Sequence, residues 1–139
     1  MWRKCVILLF FGCLACGGPV DKEALTHLNG YWEITEVEFP DGGTKQYGMN
    51  PTVDYFQLEG MQGFRKKVHP KFDGSFDASN DAEPFTMSAF ENGFLIQYDE
   101  ALEPWEERLV AIDEGSFTII NTEGVRYTYR RYEPIRIEE

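Results

Sequence analysis

Cysteine is nearly absent: the chain of 139 residues has three, Cys5, Cys13 and Cys16, and none beyond residue 16. No disulfide can staple the remainder, so its stability must come from core packing, which a domain of this size can supply. Histidine is limited to His27 and His69. That leaves a zinc site short of ligands and a Ser–His–carboxylate triad short of partners. Ser75, Ser79, Ser88 and Ser116 all lie outside a G-x-S-x-G setting, and neither G-x-x-x-x-G-K nor G-x-G-x-x-G occurs. Basic residues number 13 against 24 acidic ones, a formal net charge of −11, so nucleic acid and anionic headgroups would be repelled. The apolar run Cys5 to Phe11 is far short of the ~20 residues that a spanning helix needs. No metal, cofactor or enzymatic activity is expected from this composition.

What is present points to strands. Aromatic residues reach 15%, and Phe, Tyr, Trp, Val, Ile and Thr dominate the periodic segments. Glu23 to Asn29 makes one or two helical turns, with Ala24, Leu25 and Leu28 on one face. From Gly30 the period is two: Trp32 and Ile34 alternate with Tyr31, Glu33, Thr35 and Val37, and the segment stops at Pro40-Asp41-Gly42-Gly43. Val53 to Leu58 ends at Glu59-Gly60. Gly63 to His69 alternates Phe64, Lys66 and Val68 and stops at Pro70. Phe72 and Phe76 flank a hairpin signal at Asp73-Gly74. Phe85, Met87 and Ala89 share a face before Asn92-Gly93; Phe94, Ile96 and Tyr98 share the next. Trp105 to Ile112, Phe117 to Ile120 and Val125 to Tyr132 complete the set, while the acidic stretch Asp77 to Glu83 reads as a surface loop.

No second helical pattern offers a crossover, so neighbours joined by short turns are antiparallel. Closing such a sheet removes its edges. The expected fold is all-β: a small antiparallel up-and-down barrel of about eight strands with a short N-terminal helical turn. A β-sandwich is the alternative.

Three polar features invite a chemical reading. Asp73-Gly74-Ser75-Phe76-Asp77 starts like a calcium loop, but Ala78 and Pro84 stand where a glycine and a bidentate glutamate are needed. Glu106 and Glu107 sit on an alternating strand, so at most one faces inward, and a solvated face is the simpler reading. Phe64-Arg65-Lys66-Lys67-Val68-His69 runs against the overall charge. It reads as a strand whose basic residues pair with acidic neighbours on the barrel exterior, with a docking patch for an anionic partner as the alternative.

The N-terminus carries Arg3 and Lys4, then the apolar run, then FGCLACGG from Phe11 to Gly18, which is the pattern of an export signal. The C-x-x-C within it lacks the preceding strand of a redox site. It resembles instead the lipoprotein signal of Gram-negative bacteria, in which a small residue precedes a cysteine that is acylated and becomes residue one of the mature chain. Cys16 after Ala15 is the preferred lipid attachment, and Cys13 after Gly12 is the alternative. The resemblance implies a signal peptide at 1–15, a tether at 16–24, an acyl anchor in the membrane and, from Gly17, the outer membrane. Loss of Arg3 and Lys4 would take the 13 basic residues to 11 against 24 acidic ones, or −13.

Gly30 and Trp32 in Asn29-Gly30-Tyr31-Trp32 resemble the G-x-W opening of lipocalin-like proteins. In that family the Trp plugs one end of the barrel and an Arg from the last strand packs over it, a role that falls on Arg131. The resemblance implies a lipocalin-like barrel at 25–139. Phe56, Phe85, Phe94, Tyr98, Trp105 and Phe117 would then line a cavity for a small apolar or amphipathic ligand, or else fill the barrel. The first outcome makes the protein a binding module without enzymatic activity. The second makes it a structural or protein-interaction lipoprotein with no internal ligand.

Overall fold

The computed structural model describes residues 20–48, 52–71, 73–78 and 82–133. Cys13, Cys16, the signal peptide and the first part of the tether lie outside these residues, as does Phe72. A 3-10 helix spans Lys22–Leu28 and is followed by β1 Gly30–Glu38, β2 Thr44–Gln46, β3 Val53–Glu59, β4 Gln62–Pro70 and β5 Phe76–Ala78. The chain continues through β6 Glu83–Phe90, β7 Gly93–Tyr98, β8 Trp105–Ile112, β9 Ser116–Asn121 and β10 Arg126–Arg131.

Eight of these strands close into an antiparallel barrel in the order β10-β9-β8-β7-β6-β4-β3-β1, sealed by β1 against β10. That seal decides against the two-sheet alternative, because hydrogen bonding runs unbroken round the ring. The remaining two strands are extensions of the wall. Beyond the stretch of β1 that pairs with β3, Glu36–Glu38 take β2 as partner. Beyond the stretch of β4 that pairs with β6, Val68–Pro70 take β5. All three residues of β2 are exposed, so the strand leaves no alternation to read in the sequence.

The stretch Asp77 to Glu83, expected to be a surface loop, is strand at both ends. Asp77 and Ala78 pair with His69 and Val68, and Glu83 opens β6 opposite Arg65. Ladder hydrogen bonds offered by the long β4 outweigh the low strand preference of these polar residues.

The barrel interior holds one core, built from Leu25 and Leu28 of the helix and from Trp32, Phe56, Phe85, Met87, Phe94, Ile96, Tyr98, Leu109, Phe117, Ile119 and Tyr129. A bulge in β1 between Ile34 and Glu36 shifts the alternation, so Val37 lies opposite Tyr127 and on its face rather than on the face of Tyr31. A second aromatic group clads the outer wall. Tyr31 stacks on Phe76 at 4.4 Å and 5°, and contacts Tyr55 at 4.7 Å; Tyr55 in turn lies 6.1 Å from Phe64. The β4–β5 hairpin brings Phe76 to this wall.

The two ends of the barrel differ. Asn29 Oδ1 accepts from the Leu58 amide, Val20 N donates to Asn92 O, and Arg131 N donates to Gly115 O. The helix therefore caps the end that carries the β3–β4, β6–β7 and β8–β9 turns. The opposite end, here termed the mouth, carries the start of β3, β6 and β8 and the end of β4 and β7.

Candidate functional site

At the capped end, Trp32 is fully buried and its Nε1 donates to Leu28 O at 2.8 Å. The Arg131 guanidinium lies 4.1 Å from the Trp32 ring centroid. Its nitrogens donate to the carbonyls of His27 at 2.7 Å, Asn29 at 2.9 Å and Glu114 at 2.9 Å. The His27 carbonyl belongs to the last turn of the helix, where carbonyls lack intrahelical donors. Gly30, with φ of 127°, runs so close beneath that a Cβ would collide with Arg131 Nη1. These three residues tie helix, first strand and last strand together. Their chemistry is that of packing.

Of the six aromatics expected along a cavity, Phe56, Phe85, Phe94, Tyr98 and Phe117 are buried in the core. The rings of Phe56, Phe85, Tyr98 and Phe117 meet other rings of the core. Phe117 contacts Trp32 at 4.7 Å, Phe56 at 5.5 Å and Tyr129 at 4.6 Å. Phe85 lies 5.8 Å from Tyr98 and 6.2 Å from Phe56. Trp105 is placed differently. It faces inward opposite Tyr98, stacks on it at 3.9 Å and 12°, and remains 39% exposed at the mouth.

Beneath Trp105 the barrel holds charge. The register pairs Phe56 with Arg65 and Asp54 with Lys67, and it pairs Ile96 with Glu107. Since Phe56 and Ile96 point into the core, so do Arg65 and Glu107. Arg65 donates to Tyr98 Oη at 2.9 Å, Glu107 Oε1 at 3.2 Å and Asp54 Oδ2 at 3.2 Å. Tyr98 Oη donates to Glu107 Oε1 at 2.9 Å, and Lys67 Nζ donates to Asp54 Oδ1 at 3.1 Å. The Arg65 guanidinium also sits 4.8 Å from the Phe56 ring centroid. Arg65, Asp54 and Glu107 keep side-chain exposures of 13%, 6% and 7%, whereas Lys67 is 65% exposed and marks the solvent side of the cluster.

Burial pushes the Glu107 carboxyl above the usual carboxylate range, against the pull of the Arg65 charge and the Tyr98 hydrogen bond. Burial likewise raises the hydroxyls of Tyr98 and Tyr129 above the ordinary tyrosine value.

Two expectations are corrected here. The basic stretch does pair with acidic residues, but Arg65 does so inside the barrel, not on its exterior. Glu107 is the inward member of the Glu106–Glu107 pair and lies in a buried cluster, not on a solvated face. The face of β4 that carries Phe64, Lys66 and Val68 is the outer one, and Phe64 packs there against the outer aromatic group. One sequence signal does lead to Arg65. Gly60-Met61 forms a two-residue turn, with Gly60 at φ of 66°, and counting back from it sets Arg65 opposite Phe56.

Outside the barrel, an open groove of about 500 Å³ follows β3, β4 and β6, lined by Gln57, Glu59, Gln62, Phe64, Ala82 and Pro84. Among the described residues no group of three His, Cys, Asp or Glu side chains is placed to hold a metal ion. None of their helices is long and apolar enough to cross a membrane.

No protein-family model matches the chain. No curated protein matches it. Two solved structures are similar over 76% of this chain and 99% of their own length, each with 12% sequence identity and a TM-score of 0.46. They are a lipocalin-like protein from Bacteroides uniformis and an uncharacterized protein from Bacteroides eggerthii.

Proposed function

We propose that the protein is a membrane-anchored, non-enzymatic binding module that holds a small amphipathic ligand at the mouth of its barrel. The observation that carries this reading is the charged cluster of Arg65, Asp54, Glu107 and Lys67 set beside the half-open Trp105. Buried ion pairs stabilise a fold no more than apolar packing of similar volume would, so recognition is the better account of their presence in a barrel otherwise filled with aromatic and aliphatic side chains. Of the four exposed large apolar side chains among the described residues, Phe39, Leu102 and Trp105 fall at the mouth end and Phe90 at the capped end. A ligand seated there lays its apolar part on Trp105 and the rim and directs its polar head to Lys67. The packed aromatics below limit it to the mouth.

The anchor belongs to the same reading: Cys16 carries the acyl chains, with Cys13 the alternative, and two or more chains make attachment stable. Metabolic labelling with a fatty-acid analogue tests it, since Cys16→Ser abolishes the label. For the mouth, protein prepared as Cys16→Ser is titrated with dodecanoate and with lysophosphatidylcholine while tryptophan fluorescence is followed. The expected result is a saturable change that disappears in Trp105→Phe and weakens in Lys67→Ala. A flat titration, together with no copurified lipid by mass spectrometry, would sink the ligand site.

A second reading is favoured by the ring-to-ring contacts themselves. A solid barrel whose working surface is the outer groove along Gln57, Phe64 and Pro84 would be an interaction module. Under that reading the same titration is silent, and substitutions at Phe64 change partner capture while those at Trp105 do not.

A further inference from the structure

We propose that the capped end of the barrel faces the bilayer and the mouth faces away from it, so that the mouth draws its ligand from water and not sideways from lipid. This rests on the anchored reading given above. Val20 is fixed at the capped end: its amide donates to Asn92 O in the β6–β7 turn at 2.8 Å, and its side chain packs against the core. Cys16 lies four positions earlier, and four extended residues reach about 14 Å at most. The barrel strands of six to nine residues, tilted as in closed barrels, make a wall roughly 20 Å tall.

A mouth-down molecule would hold Val20 some 20 Å above the lipid, beyond the reach of that tether. The formal charge of −13 left once Arg3 and Lys4 are removed (11 basic against 24 acidic residues) opposes laying a wall of the barrel on an anionic lipid surface. The tether therefore holds the molecule upright on its capped end. From Cys13 the reach would be about 25 Å, and the exclusion would lapse. The partner implied is an amphipathic molecule with some solubility in water, or one presented by a soluble carrier.

The test uses the lipidated chain reconstituted in vesicles of phosphatidylcholine and phosphatidylglycerol that contain a headgroup-labelled acceptor lipid. Thiol-reactive donors are placed at Glu114→Cys, in the β8–β9 turn of the capped end, or at Glu103→Cys, in the loop before Trp105. Both native side chains are exposed, and the tryptophan emission of each variant verifies folding. Energy transfer to the membrane at least twofold more efficient from position 114 than from 103 is expected. Equal efficiencies would show a barrel lying on its side, and the reverse order a mouth against the lipid; either overturns the proposal while the anchor stands. If the wild-type chain fails to float with vesicles, the anchored reading falls and takes the orientation with it.

Discussion

The Arg131 guanidinium covers the Trp32 ring at 4.1 Å and at the same time donates to three backbone carbonyls, those of His27, Asn29 and Glu114. One side chain from the last strand thus fastens the helix, the entry to β1 and the β8–β9 turn. Arg131→Ala is expected to destabilise the protein by about 2–4 kcal/mol in urea unfolding, from the lost cation–π contact and charge-assisted hydrogen bonds. Arg131→Lys should recover only a small part, because an ammonium lacks the planar fork that reaches all three acceptors. A loss under about 0.5 kcal/mol, the ordinary surface range, would show that the contact is incidental.

Gly30 and Arg131 are coupled by space as well as by role. Gly30→Ala must both adopt a φ that L residues rarely accept and displace the guanidinium. A cost of about 1–3 kcal/mol is expected. In the Arg131→Ala background the collision is gone and only the backbone strain remains, so the same change should cost measurably less. Strict additivity in the double-mutant cycle would contradict the close approach.

Removing Arg65 alone leaves Glu107 buried without a cation and Asp54 with Lys67 alone. Arg65→Met is expected to cost about 3–5 kcal/mol by denaturant titration. Replacing the set together, as Arg65→Met with Asp54→Leu and Glu107→Leu, should return stability close to wild type while abolishing the fluorescence response to amphiphiles. A triple variant that still binds would show that Arg65, Asp54 and Glu107 take no part in recognition, which removes the observation on which the mouth site rests.

The Glu107 carboxyl sets a pH signature. Its value in the folded state lies above the 4.5 of an unperturbed glutamate, chiefly through burial. Below about 4.5 the folded and unfolded chains both hold the proton. Above that, and up to the raised value, the folded chain keeps it while the unfolded chain releases it. Wild-type stability measured against Glu107→Gln should therefore fall as pH rises through this window. A difference that is flat or grows with pH would refute a raised carboxyl.

The barrel itself was legible because its strands announce themselves by alternation and its turns by Asp-Gly, Asn-Gly and Pro-Asp-Gly clusters. Trp32, Phe56, Phe85, Ile96 and Phe117 took the inward positions that period two assigns them. The charged cluster was not legible from pattern alone, because β4 is apolar on its other side. Phe64 and Val68 form the more hydrophobic face and lie on the outer wall, Phe64 beside Tyr55 and Val68 along the stretch paired with β5. The apolar face of that strand is therefore not the barrel face, and only cross-strand register reveals the inversion. Val37 was misplaced for a different reason, since a bulge inserts one residue and exchanges the faces beyond it. Strand β2 left no trace, being three exposed residues held by backbone pairing.

Closure of the ring by its first and last strands also governs the order of events in folding. Thr35 donates to the Thr128 carbonyl across 93 positions of sequence. The seal can form only after nearly the whole described chain is available, which places the barrel among slow, non-local folders. Until β10 docks, β1 and β9 each present an open edge that another copy can pair with. Chains shortened before Arg126 are therefore expected to aggregate rather than merely lose stability.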